Sequence, residues 1–362
     1  MNYQSDKWDK IFRNLLVDIR DQQCVLLLGP EIIRKGDISL TRFMYESLKE
    51  NDSDENIAHF YAKDGFFLFN EGGKEEVQRE VKLFYEKQRL GQEIEETIFR
   101  NIAEMPFHLV ISINPDNYLS DVCYKYGVKH RFNYFQFEGT AVAEVEEPTK
   151  ETPLIYNLCG YKEKDASLVL DYDDLFRLMK AIFGTPGLPE KLRMSLENTK
   201  TFICLGFDFE KWHSQLLLRI LSGKKGKKIK KYVMNRDIAD ENAETFLINQ
   251  FGITFLGDDD AFFNELHSRA KKENYLRTLS GDISAKHGQV IRLLSQNQLL
   301  SAFDLLQKEL TGEDLHTLIL LSARFNNIEE AKKKGTIDTR DYFVQFNQII
   351  DAILELINLL AL

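Results

Sequence analysis

The sequence predicts a Rossmann-like α/β fold, a parallel sheet with helices on both faces and a helical insertion, followed by a small all-α C-terminal bundle. Three observations carry that prediction. Apolar runs of strand length recur through the first three quarters of the chain, several apolar on both faces, as parallel strands covered by helices must be. Stretches of helical periodicity alternate with the later runs, the pattern of a layered α/β domain. From residue 283 onward the helical periodicity continues and no strand-like run returns.

Taken in order, Trp8, Ile11, Leu15 and Ile19 recur at helical spacing, and "CVLLLG" then forms a short buried strand ending in Gly29. Residues 53–105 interrupt the alternation with a charge-rich, mostly helical stretch, read as a helical insertion after the first βα unit. Strand-like runs return at 107–113, 131–135, 153–158, 201–206, 230–235 and 252–257. Between the later ones lie helical stretches at 172–184, 209–223 and 239–252, the last two ending at glycines that suit a helix stop. These boundaries give a sheet domain over 1–280 and a bundle over 283–362. The last helix has apolar residues broken only by Asp351, Glu355 and Asn358, read first as a core face and second as a surface for a partner or a second copy.

Composition narrows the function classes. Hydrophobic residues make up 43% and charged residues 29% of 362, the proportions of a folded globular chain. A net charge of -10 repels nucleic-acid phosphates and anionic lipid, so neither is an expected partner. The one dense basic run, Lys224 to Lys231, is read as a solvated connection before an anion site. Cys24, Cys123, Cys159 and Cys204 are widely spaced and mostly in apolar runs, which implies free thiols in a reducing cytoplasm and no metal cage. The N-terminus lacks the apolar core of a signal peptide, and no uncharged apolar stretch is long enough to span a bilayer.

In open α/β sheets ligands bind beyond the carboxyl ends of strands. Polar and small residues stand at those positions: Gly29-Pro30-Glu31, Asn114-Pro115-Asp116-Asn117, Cys159-Gly160 and Gly206-Phe207-Asp208. Asn114 and Asp116 have the chemistry to fix ribose hydroxyls or position a water. Asn, Pro and Asp equally serve as turn and cap residues where a strand enters a helix.

The order of these segments, with "SLVLDYDDLFRLM" and "ICLGFDFEKWHSQLLLRIL" after them, resembles the bacterial sirtuin-like branch, whose members act as NAD-consuming effectors in anti-phage defence. The resemblance covers residues 1–275. "LLSQNQLLSAFDLLQKEL", "LILLSARFNNIEEAKKKGTID" and "FNQIIDAILELI" resemble a helical effector-associated domain of bacterial conflict systems, an adaptor for other proteins. The first resemblance implies NAD as substrate or ligand, a homo-oligomer, and cofactor contacts at Gly29, Pro30, Glu31, Gly160, Gly206 and Asp208. It places the family asparagine on Asn114 and the acidic residue on Asp116.

Two departures from the family pattern stand out. Pro30 removes an N–H donor and Glu31 brings negative charge where a small-residue loop would meet a pyrophosphate. Cys159 occupies the position of the family's catalytic histidine, and a thiol in apolar surroundings is a poor general base at neutral pH. His130 is the candidate for a relocated base, whereas His213 reads as part of an amphipathic helix. The absence of any Cys-x-x-Cys pair argues against a zinc-dependent deacylase. Three readings therefore stay open. The chain is a catalytically degenerate sirtuin-like protein that recruits partners, an NAD hydrolase using Asn114 and Asp116, or a binding module for a ligand less anionic than NAD.

Overall fold

The computed structural model describes residues 6–35, 38–50, 55–88, 96–137, 144–184, 187–222, 229–233, 241–257, 259–279, 290, 293–294, 298–308, 310 and 312–360. The chain forms two compact units, 1–122 with 130–278 and 123–129 with 279–362.

In the first unit, α1 (Asp6–Arg20) buries Phe12, Leu15, Leu16 and Ile19, the face set by the helical spacing of its apolar residues. It leads into β1 (Cys24–Leu28), every residue of which is buried. A three-residue 3-10 turn (Pro30–Ile32) follows where a Rossmann-like domain would start a full helix. Two short paired strands, β2 (Arg34–Lys35) and β3 (Ile38–Ser39), then precede α2 (Leu40–Glu50).

The segment predicted as a helical insertion opens differently. Residues β4 (Ile57–Tyr61) and β5 (Phe66–Phe69) form an antiparallel hairpin, and only after it come α3 (Gly73–Lys87) and α4 (Thr97–Glu104). The hairpin alternates in its own fashion: Ile57, Phe60, Phe66 and Phe67 are buried while His59, Tyr61 and Leu68 are exposed. Its strands are short and lie inside a charge-rich stretch, so the dominant periodicity of α3 masks them.

The remaining elements are β6 (Leu109–Ser112), α5 (Tyr118–Lys125), β7 (Arg131–Tyr134), β8 (Leu154–Asn157), α6 (Tyr172–Phe183), α7 (Glu190–Asn198), β9 (Thr201–Leu205), α8 (Trp212–Leu221), β10 (Lys230–Val233), α9 (Glu241–Phe246) and, after a π-helical turn at Leu247–Phe251, β11 (Ile253–Phe255) and α10 (Asp259–Lys272); the strands and α6, α8 and α9 fall in the stretches the sequence predicts, while α5, α7 and α10 lie outside them. Asp171 caps α6 by accepting from the Asp174 N–H. Gly252, at φ 65, supplies the left-handed residue that ends the π turn.

Seven strands make one parallel sheet in the order β11-β10-β9-β1-β6-β8-β7. The central strand β1 is bonded to β6 on one side and to β9 on the other, so the chain reverses its direction of travel across the sheet beside β1. The loops after β1, β6, β8 and β9 consequently meet at one end of the sheet.

Of the basic run, Lys224, Lys225, Lys227 and Lys228 lie outside the described residues. Lys231 is buried in β10, where its ammonium donates to the Phe251 carbonyl at 2.9 Å, a structural role and not a solvated one.

In the second unit, α11 (Leu299–Gln307), α12 (Gly312–Lys333) and α13 (Thr339–Leu360) enclose a core that includes Leu299, Phe303, Phe325, Ile349 and Ile353. Tyr342, Ile349, Ile353 and Leu356 give α13 a buried face at helical spacing. The side chains of Asp351, Glu355 and Asn358 lie outside the described residues.

Candidate functional site

The first loop is built against the loop after β9. The Gly29 N–H donates to the Leu205 carbonyl at 2.8 Å and the Glu31 N–H to the Gly206 carbonyl at 2.9 Å. Pro30 has no N–H, and the Ile32 N–H turns back to the Gly29 carbonyl at 3.4 Å. Every main-chain donor from residue 29 to 32 is therefore engaged inside the protein. The packing is as tight as the bonding: a Cβ at Gly29 would stand 2.2 Å from the Gly206 carbonyl oxygen, and one at Gly206, where φ is +66, would stand 2.2 Å from the Ile32 nitrogen. Two glycines expected at cofactor contacts let two backbones touch.

The Glu31 carboxylate turns toward Lys211, at 3.5 Å, with Arg34 at 4.0 Å on its other side. It neutralises the ammonium that stands at the mouth of the cavity described below.

The turn after β6 is tied down in the same way. Asn114, 6% exposed, donates through Nδ2 to the Gly29 carbonyl at 3.1 Å, and its own N–H bonds the Ser112 hydroxyl. Asp116 accepts the Tyr118 N–H at 2.9 Å through Oδ1, closing the turn that leads into α5, while Asn157 Nδ2 donates to its main-chain oxygen at 2.6 Å. Asp116 Oδ2 is buried with no hydrogen-bond partner. Burial therefore pushes the Asp116 carboxyl up to about 6, against the lowering effects of the Tyr118 N–H and the Lys162 ammonium.

Cys159 follows β8 and is partly buried. Desolvation pushes its thiol up to about 12, so it is a neutral S–H at physiological pH. Gly160, at φ +91, packs on the 165–167 turn so closely that a Cβ would stand 1.9 Å from the Ser167 carbonyl oxygen. Asp208 accepts the Glu210 N–H at 2.9 Å, closing the turn that leads toward α8.

What space remains is a cavity of about 100 Å³. Pro30, Asn114, Cys159, Lys211 and His213 line it from the sheet side, and the hairpin tip Asp64-Gly65-Phe66 closes it. The hairpin is latched to the start of α6: the Tyr172 hydroxyl donates to Asp64 at 2.5 Å and the Phe67 N–H to the Leu170 carbonyl at 2.9 Å.

The two histidines exchange the places that the sequence suggests for them. His130, expected at the pocket edge, pairs with the Ser120 hydroxyl at 2.8 Å and is not among the residues lining the cavity. His213, expected on an amphipathic face, lines the cavity, packs its ring 5.0 Å from that of Phe66 and leaves Nδ1 buried without a partner. Burial, aided by Lys211, lowers its pKa to about 4, so it is a neutral imidazole. The only signal in the sequence was its position at the start of the helix after β9, which points the first turn of α8 back over the strand ends.

A dinucleotide does not fit these residues. Pockets for ligands of that size run to roughly 300 Å³ and more, and pyrophosphate recognition needs free N–H donors that this first loop does not have. Among the described residues no group of three or more His, Cys, Asp or Glu side chains is placed to hold a metal ion, and no helix is long and apolar enough to cross a membrane.

Comparison with protein families gives two matches. Residues 108–256 match the SIR2-like domain, and residues 285–361 match Effector-associated domain 11. The first match starts at β6, so it includes Asn114, Asp116, Cys159, Gly206 and His213 and leaves Gly29-Pro30-Glu31 outside. No curated protein matches the chain.

Proposed function

For a chain that carries a SIR2-like domain followed by an effector-associated domain, we propose a role in a bacterial anti-phage or conflict system in which the SIR2-like domain is catalytically degenerate and the C-terminal helices recruit a protein partner. SIR2-like domains bind NAD. Here the engagement of every main-chain donor in residues 29–32 argues against that ability, and it is the observation that carries the reading. The neutral thiol at Cys159 and the tying of Asn114 and Asp116 to main-chain groups support it.

The test is NAD binding and cleavage by the purified full chain beside Asn114→Ala and Cys159→His. No cleavage by any of the three is the expected result. Cleavage by the natural chain that disappears in Asn114→Ala would overturn the degenerate reading.

One observation favours a second reading, an NAD hydrolase that depletes NAD on activation. Asn114 and a neutral His213 with an unpartnered ring nitrogen line one cavity, which is the pairing of an orienting amide with a base. In that reading the hairpin and the first loop must move before NAD enters. Cellular NAD after induction, with and without phage, decides it: an unchanged level in both arms removes the hydrolase.

A further inference from the structure

Helix α6 has two apolar faces. Leu175, Leu178, Met179 and Ile182 are buried against the sheet. On the opposite side Phe176 is 58% and Phe183 is 67% exposed, two turns apart on one stripe. Trp212, 39% exposed, places its ring 6.3 Å from that of Phe176 and widens the patch. At the start of the helix Tyr61, 36% exposed, packs against Tyr172 with ring centres 5.3 Å apart. Scattered exposed apolar residues need no explanation, but large aromatic side chains aligned on one helix face mark a contact surface.

Charge along the same stripe is ordered. Asp173 stands before Phe176 and Lys180 after it, both exposed. They are seven residues apart, or about 10 Å along the axis. An antiparallel copy of this stripe sets Asp173 against Lys180 of the second copy, and Lys180 against its Asp173. The same register brings Phe176 onto the middle of the opposing stripe and Phe183 toward the Tyr61 and Tyr172 end of the other helix. A parallel copy sets like charges side by side. The stripe is therefore self-complementary under a twofold axis, the condition for an isologous contact.

We propose that the exposed face of α6 binds a second copy of this chain, the two helices antiparallel, with Phe176, Phe183 and Trp212 as its apolar anchors and reciprocal Asp173–Lys180 pairs setting the register. Nothing in this proposal depends on whether the chain binds or cleaves NAD.

Sedimentation velocity of the full chain over about 1–100 µM reads the association, the range in which an interface built on a few aromatic anchors forms. The expected result is a monomer–dimer equilibrium that Phe176→Asp weakens at least about tenfold. Asp173→Lys alone, and Lys180→Asp alone, each place like charges across the axis and weaken it by about tenfold, while the double reversal restores it to within about threefold. The thermal transition of each variant reports its folding, and if Phe176→Asp does not fold the charge-reversal series carries the test. A chain that stays monomeric across the range, a dimer unchanged by these variants, or a double reversal as weak as either single one overturns the proposal. The first of those outcomes leaves the stripe to a different protein.

Discussion

Asn114 and Gly29 are joined by a hydrogen bond from the side-chain amide to the main-chain carbonyl, 3.1 Å long and buried. It links the end of β6 to the end of the central strand β1, its neighbour in the sheet. A residue in that bond is structural first. Asn114→Ala is expected to lower unfolding free energy by about 1–2 kcal/mol, the loss of one buried bond at a carbonyl that keeps only the longer bond from the Ile32 N–H. Urea unfolding checks it, and an unchanged midpoint would show that the amide is free for other work.

Gly206 supports the first loop by having no side chain. At φ +66, with the Ile32 nitrogen 2.2 Å from where a Cβ would stand, Gly206→Ala meets both backbone strain and overlap. A cost of about 2–4 kcal/mol is expected, from strain of about 1–3 kcal/mol plus overpacking. Thermal unfolding measures it; a shift no larger than that of a surface substitution contradicts the close approach of the two loops.

The Cys159 thiol, with its pKa pushed up to about 12 by burial, holds a thiolate fraction of about one in ten thousand at pH 8. Iodoacetamide should therefore alkylate it far more slowly than a free cysteine in the native protein, and at the ordinary rate in urea. Peptide mass mapping reads both arms. Rapid native modification would mean that a cation or main-chain donor stabilises the thiolate, which revives Cys159 as a nucleophile or base.

His213 and Asp116 pull the pH dependence of stability in opposite directions. His213 titrates at about 4 when folded and near 6.5 when unfolded, so the unfolded chain binds more protons between those values. Its contribution is present above pH 6.5 and lost as pH falls through 4. His213→Phe should flatten that acid limb by up to about 3 kcal/mol. Asp116 titrates at about 6 when folded and at 3.8 when unfolded, so here the folded chain holds the extra proton. Its contribution is present below 3.8 and lost as pH rises through 6. Asp116→Asn keeps an acceptor for the Tyr118 N–H and should stabilise the protein at pH 7.5 by up to about 2–3 kcal/mol, with little effect at pH 4. Urea titrations across pH 4–8 distinguish the two; a destabilised Asp116→Asn at neutral pH would mean that the carboxylate is paired and charged.

Much of this protein was legible in its residues. The central strands β1, β6, β8 and β9 announced themselves as apolar runs because burial at every residue leaves little room for polar side chains, whereas the edge strand β7, half-buried throughout, keeps Arg131 and Asn133. Pro30, Glu31 and Cys159 were legible as departures from the family pattern because each changes a donor, a charge or a pKa in a predictable direction. The hairpin at 57–69 was hidden by the stronger helical pattern beside it, since four- and five-residue strands offer too few alternations to register. The fate of the donors in residues 29–32, the exchange of roles between His130 and His213, and the latch from Tyr172 to Asp64 could not be read from the chain. Each joins segments 10 to more than 170 residues apart. Local sequence determines which groups a segment offers. Only the packed sheet decides which of them remain unpaired at its edge, because that depends on what the other loops have already bonded.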